Sequence, residues 1–178
     1  MRSFQLVVVL LLVLIWVTSI YAYSTLPERV PVHFNASGKA DSYGGKIIFL
    51  LLPLSFSFAP VILLVISSKR SEVLKGTVWW MNLPAFFSKL NFLPENERER
   101  FVNSYFNSID ALNAFLTFCF YLLTLGIYLG SKTGELPWWF NLVIVTLLLS
   151  VIPFLLRIRR LSKEFEKVYK QSNRTRVR

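Results

Sequence analysis

The chain has 178 residues, 54% of them hydrophobic, with 16 Phe, 7 Tyr and 5 Trp and a formal net charge of +10. Four separate long apolar runs are more than the single core of a soluble domain of this length can bury, so the composition points to an integral membrane protein. The net charge raises nucleic-acid binding, but its placement argues for topology and contact with membrane lipids instead, and no nucleic-acid partner is expected.

The first run, Phe4 to Ala22, follows Arg2. It resembles a signal peptide ending at Ala22, yet it is long for one, and Ile20 and Tyr21 make a poor small-residue cleavage site. It is therefore expected to stay as the first of four spans. About 20 helical residues cross roughly 30 Å of hydrocarbon. The other runs that meet this test are Ile47 to Ile66, Ile109 to Leu129 and Trp138 to Leu156. Only Asp110 places an acid within any of them, and no Lys or Arg interrupts them.

The fold class expected is all-α, a polytopic protein of four transmembrane helices forming a single membrane domain over residues 1–178. Of the 20 Lys and Arg residues, only Arg29, Lys39, Lys46 and Lys132 fall in the first and third connections. The positive-inside bias then puts both termini, the connection 67–108 and the tail 157–178 in the cytoplasm, with the loop 23–46 outside the cell membrane.

That outer loop is dense in turn-forming and polar residues, and it holds the only histidine, His33. Tyr21 and Tyr23 suit the membrane interface. Pro27 and Pro31 bias Leu26 and Val30 towards extended backbone. Val30, Val32 and Phe34 alternate with Pro31 and His33, which predicts a short extended run. Asn35 to Gly38 and Asp41 to Gly45 read as turns, and Lys46 marks the outer edge of the second span. A structured loop folded over the bundle is expected.

In the second span Pro53 and Pro60 each remove a backbone donor, so kinks are expected, compensated by neighbouring helices or by Ser55 and Ser57. The next connection mixes Trp79, Trp80, Phe86, Phe87 and Phe92 with Lys and Asn, which suggests segments lying among lipid headgroups. Pro94 and Glu95 mark a helix start, with Arg98 and Arg100 placed to pair with Glu95 and Glu97. The third helix thus begins before the bilayer and projects from it.

Along that helix Asn103, Asn107, Asp110, Asn113 and Thr117 fall on one face. This polar seam, above all Asn107, Asp110 and Asn113, reads either as a site for an ion, a peptide or a helix, or as hydrogen bonding between helices. Gly126 and Gly130 form a GxxxG that permits close approach. Cys119 reads as a small apolar filler. Trp138 and Trp139, after Pro137, anchor the last span. Beyond it Leu161, Phe165, Val168 and Tyr169 recur at helical spacing among cations, which predicts a basic amphipathic helix on the inner leaflet and a disordered Arg-rich end.

Chemistry is sparse. His33, Asp41, Glu28 and Asn35 are the candidate metal ligands outside, but one histidine and no usable thiol make a closed metal site a poor fit. A loop histidine more often fixes a turn, and it can also carry a pH response. Asp110 has no second carboxylate within a span, His33 has no serine in a nucleophile context, and no P-loop glycine motif is present. No catalytic residue, metal or cofactor is expected, and the chain reads as a non-enzyme.

The pattern Leu26-Pro27, Pro31, His33-Phe34-Asn35, Gly38, Asp41 and Lys46 resembles the membrane domain of unknown function numbered 1648. That domain occurs in bacterial and archaeal membrane proteins, including immunity proteins against the sporulation-delaying toxin. The likeness is specific over residues 23 to 60 and looser beyond. It implies a helical membrane protein with this loop outside. For the immunity relatives it implies protection from a secreted peptide toxin and capture of a repressor at the membrane. Those relatives usually carry further spans, whereas four are counted here.

The leading expectation is a small membrane protein recognising a peptide, protein or lipid partner, such as a toxin-immunity factor. Pro27, Pro31, His33, Asn35, Gly38, Asp41 and Lys46 form its recognition loop. The alternatives are a homo-oligomeric transport or permeation component using Asp110, and a metal-assisted enzyme at the outer surface.

Overall fold

The computed structural model describes residues 3–81 and 89–176. They are mostly helical, in the order α1 (Ser3–Thr25), a β1–β2 hairpin (Arg29–Phe34 and Ala40–Gly45), α2 (Ile48–Ser68), α3 (Arg70–Leu74), α4 (Glu95–Thr133), α5 (Phe140–Leu149) and α6 (Val151–Arg176). Short 3-10 turns at Val78–Trp80 and Leu90–Phe92 lie in the long connection.

Four helical stretches are long and apolar enough to cross a membrane: Ser3–Thr25, Ile48–Leu74, Glu95–Thr133 and Phe140–Asn173. Their outward residues include Leu10, Val17, Leu54, Phe58, Leu148 and Leu155, all large, apolar and exposed. In water such a surface would be unfavourable; in hydrocarbon it is the expected exterior. Trp138, just before the fourth stretch, is exposed, and Arg157, within it, is the first of the cations that follow its apolar part.

The chain forms two compact units, one from residues 1–61 and 113–150, the other from 62–112 and 151–178. Helices α2 and α4 each supply residues to both.

The first unit is built on two apolar clusters. Ala22, Leu26, Val30 and Phe49 are buried together, with Tyr23, Leu52, Ile127 and Tyr128 against them. Cys119, Leu123 and Val143 form the other, with Phe56 and Phe120 stacked at 4.9 Å between ring centres. Cys119 is therefore the apolar filler that the sequence suggests. The GxxxG receives side chains of the same chain. A Cβ on Gly126 would come 2.5 Å from Phe140 Cδ2, and one on Gly130 would come 3.1 Å from Phe34 Cζ. At Gly126 a side chain would force the Phe140 ring to move, whereas at Gly130 the contact is tight but closer to ordinary packing.

Helix α2 runs unbroken through Pro53 and Pro60. Its serines are engaged elsewhere than at the freed carbonyls: Ser55 donates to the Leu51 carbonyl at 3.0 Å, and Ser57 accepts from Trp16 Nε1 at 3.1 Å.

The second unit has its own core of Val73, Met81, Leu90, Leu93, Phe101, Val102, Phe106, Ile109, Leu161 and Phe165. Helix α4 starts at Glu95, as its Pro-Glu signature predicts, and Arg98 N–H closes the first turn on the Pro94 carbonyl at 2.9 Å. Arg100 makes the expected pair with Glu97 at 2.9 Å and also reaches Glu164 at 3.0 Å, whereas Arg98 does not pair with Glu95.

Two expectations for this unit are corrected. The stripe Leu161, Phe165, Val168 and Tyr169 packs inward on α4 rather than onto lipid, with the Phe165 and Phe101 rings edge to face at 5.2 Å. Burying that stripe against aromatic residues removes it from water without any membrane. The tail is helical to Arg176 rather than disordered beyond the stripe. In the connection, Trp80 packs on the core and donates to Glu72 at 3.2 Å, while Trp79 and Phe92 are exposed. Phe86 and Phe87 lie outside the described residues.

Candidate functional site

The hairpin is the first candidate. The predicted extended run is strand β1, but Asp41 to Gly45, read from sequence as a turn, is strand β2. It pairs antiparallel with β1 from Arg29↔Gly45 to Phe34↔Ala40. Pairing with a neighbour overrides the weak intrinsic strand preference of Asp, Ser and Gly. Only Gly38 uses a left-handed backbone here, at φ 80°. It closes the connection with Asn35, whose side-chain oxygen accepts from Ser37 N–H at 3.0 Å, Ser37 Oγ–H at 2.7 Å and Lys39 N–H at 3.0 Å. This is the side-chain turn that Asn favours.

The register slips on both sides of His33, and such irregularities re-aim side chains. His33 Nδ1 and Asp41 Oδ1 consequently meet at 2.5 Å with the side chains 66% and 42% exposed. Held so far in the open, the pair contributes little to stability. Its interest is as a fixed polar feature on a surface.

The remaining residues of the expected recognition loop have supporting places. Pro31 is buried beside Val30, and Pro27 precedes β1. Lys46 Nζ pairs with Glu28 at 2.9 Å, lies 5.2 Å from the Tyr23 ring centre, and donates its backbone N–H to the Glu28 carbonyl at 3.1 Å. The hairpin tip is joined to the α4–α5 connection. Ala40 N–H donates to the Gly134 carbonyl and Leu136 N–H to the Gly38 carbonyl, both at 2.8 Å. Thus His33 and Asp41 come together, while Glu28 and Asn35 turn to Lys46 and to their own loop.

The polar seam divides. In the second unit Asn103, Asn107 and Asp110, at i, i+4 and i+7 on α4, converge on Arg70. Arg70 Nη1 donates to Asn107 Oδ1 at 3.0 Å and to Asn103 Oδ1 at 3.3 Å, and Nη2 donates to Asp110 Oδ2 at 2.9 Å. Ser67 Oγ–H donates to the other Asp110 oxygen, and the guanidinium lies 5.3 Å from the Phe106 ring centre. The planar, five-donor guanidinium suits such a divided acceptor set. In the first unit Asn113 Nδ2 donates to the Pro60 carbonyl at 3.1 Å, and Thr117 Oγ1 donates to the Asn113 carbonyl at 2.7 Å.

Sequence reasoning missed Arg70 and Ser67. Both sit just past the end of the second apolar run, where a cation reads simply as a topology signal. The available clue was the seam itself, since an acid on an otherwise apolar helix calls for a partner.

The model of the family "Domain of unknown function (DUF1648)" matches residues 10–56, which take in the hairpin and parts of the helices flanking it. An uncharacterized protein of Archaeoglobus fulgidus is 35% identical over 132 residues, covering 74% of this chain and 72% of its own length. No solved structure matches. The segment joining α1 through the hairpin to α2, together with the archaeal relative, places the chain in the DUF1648 family.

Proposed function

We propose that this chain is a non-enzymatic integral membrane protein that recognises a peptide, protein or lipid partner through its hairpin, toxin immunity being one form of that role. The observation that carries the reading is the exposed His33–Asp41 pair, 2.5 Å apart on a hairpin tied down at its base by Lys46–Glu28 and at its tip by Gly134 and Leu136. A polar feature fixed in place loses little freedom on binding, which favours recognition. In this reading the hairpin faces outwards from the cell membrane and both termini lie in the cytoplasm, which the distribution of Lys and Arg supports.

The alternatives have less support. A transport component carrying charge on Asp110 would need that carboxylate available, and Arg70 and Ser67 engage it. A metal-assisted enzyme would need Glu28 or Asn35 beside His33 and Asp41, and both are drawn elsewhere.

The test is survival of cells producing the protein when challenged with secreted membrane-active peptides, wild type beside a His33→Ala, Asp41→Ala variant at matched membrane level. Protection that is lost in the variant is expected. Absence of protection from both, or equal protection from both, would overturn toxin immunity through the hairpin.

A further inference from the structure

Helix α6 has one face that changes character abruptly. Ile152, Leu156, Arg159, Lys163, Lys167 and Lys170 follow one another at intervals of four, three, four, four and three residues, so they form one stripe. Ile152 and Leu156 are 51% and 50% exposed and lie in the fourth stretch that is long and apolar enough to cross a membrane. Arg159, Lys163, Lys167 and Lys170 are exposed too, and none is paired with an acid among the described residues. The acids on the same helix are taken, Glu164 by Arg100 at 3.0 Å and Glu166 by Lys89 at 2.6 Å. The apolar side of the helix is used internally, with Leu161 and Phe165 buried on α4.

We propose that this basic stripe docks the headgroups of anionic phospholipids in the leaflet adjoining it. The occupant follows from continuity: the face that meets acyl chains at Ile152 and Leu156 becomes cationic three residues later. Arg159 and Lys163 stand within about 10 Å of Leu156 along the helix axis, about one Debye length at 0.1 M salt. Lys167 and Lys170 lie about 16 and 21 Å beyond Leu156 along the axis, so Arg159 and Lys163 make the nearest contacts and the other two extend the positive potential of the stripe. Because no apolar residue remains on this face beyond Leu156, the attachment is electrostatic rather than insertive, unlike the surface-lying amphipathic helix that the sequence suggests. The inference rests on the membrane reading and is independent of recognition by the hairpin.

The test uses the full chain in detergent, offered equal amounts of phosphatidylglycerol and phosphatidylcholine, with bound lipids counted by native mass spectrometry. Wild type is expected to retain phosphatidylglycerol preferentially, and R159Q/K163Q/K167Q/K170Q to reduce that preference at least about fivefold. A matched variant, R29Q/K39Q/K132Q, is expected to keep it. A salt series on wild type supplies a measurement without any substitution: raising salt from about 0.1 to 1 M is expected to abolish the preference. An unchanged preference in the quadruple variant, equal loss in the matched variant, or a salt-insensitive preference would overturn the proposal. So would binding of poly-glutamate to the stripe without any lipid preference, which would assign it to an acidic protein segment.

Discussion

Arg70 and Asp110 face each other at 2.9 Å with side chains only 9% and 2% exposed, forty residues apart in sequence. Their attraction is not a large net gain, because taking both charges out of water costs nearly as much as the pair returns. What the pair fixes is the consequence of losing one member. Arg70→Ala leaves the Asp110 carboxylate buried against Ser67 without its counter-charge, and a loss of about 3–5 kcal/mol is expected. Arg70→Lys is expected to recover only part, since one ammonium cannot hold Asn103, Asn107 and Asp110 as the fork does. Reversible unfolding in detergent, with Asp110→Asn as the neutral-partner control, checks the order.

The close approach at Gly126 gives a second prediction. Gly126→Ala would bring a methyl group to 2.5 Å from Phe140 Cδ2, so the ring must shift within an already packed cluster. A destabilisation of about 1–3 kcal/mol is expected, with no change in oligomeric state because the glycine packs against its own chain. Unfolding and mass measurements on the purified variant read the two parts separately. A shift in mass with unchanged stability would instead mark the GxxxG as an interface between copies.

The corrected tail gives a third. Phe165 is fully buried and meets the Phe101 ring edge to face. Phe165→Ala is expected to cost about 3–5 kcal/mol. It should raise protease cleavage at residues 157–176, which a helix resting on lipid alone would not do. Limited proteolysis of wild type and variant in detergent decides this.

Much of the architecture was legible because the membrane imposes a simple rule on sequence: every span must be long, apolar and helical. The start of α4 was legible for an equally local reason, since Pro94 and Glu95 satisfy a helix N-terminus by themselves. What failed was non-local. Asp41 to Gly45 carry turn-forming side chains and become a strand only because β1 lies beside them. Leu161 and Phe165 show the periodicity of a buried face, yet periodicity does not say whether lipid or α4 covers it. Asp110 announced a need for a partner without naming Arg70, which lies across a long connection. In the hairpin, the sequence indicated His33 and Asp41 together but not that a slipped register would bring them into contact.

The central claim, in its peptide form, is that the hairpin recognises a secreted peptide through its exposed histidine and aspartate. The direct measurement is binding of secreted membrane-active peptides to the full chain in nanodiscs, by fluorescence anisotropy, for wild type and the His33→Ala, Asp41→Ala variant. The account predicts saturable binding of at least one peptide, weakened about tenfold or more in the variant, equivalent to about 1.4 kcal/mol. Saturable binding that is equally tight in both proteins, or none in wild type across the peptides, would contradict it.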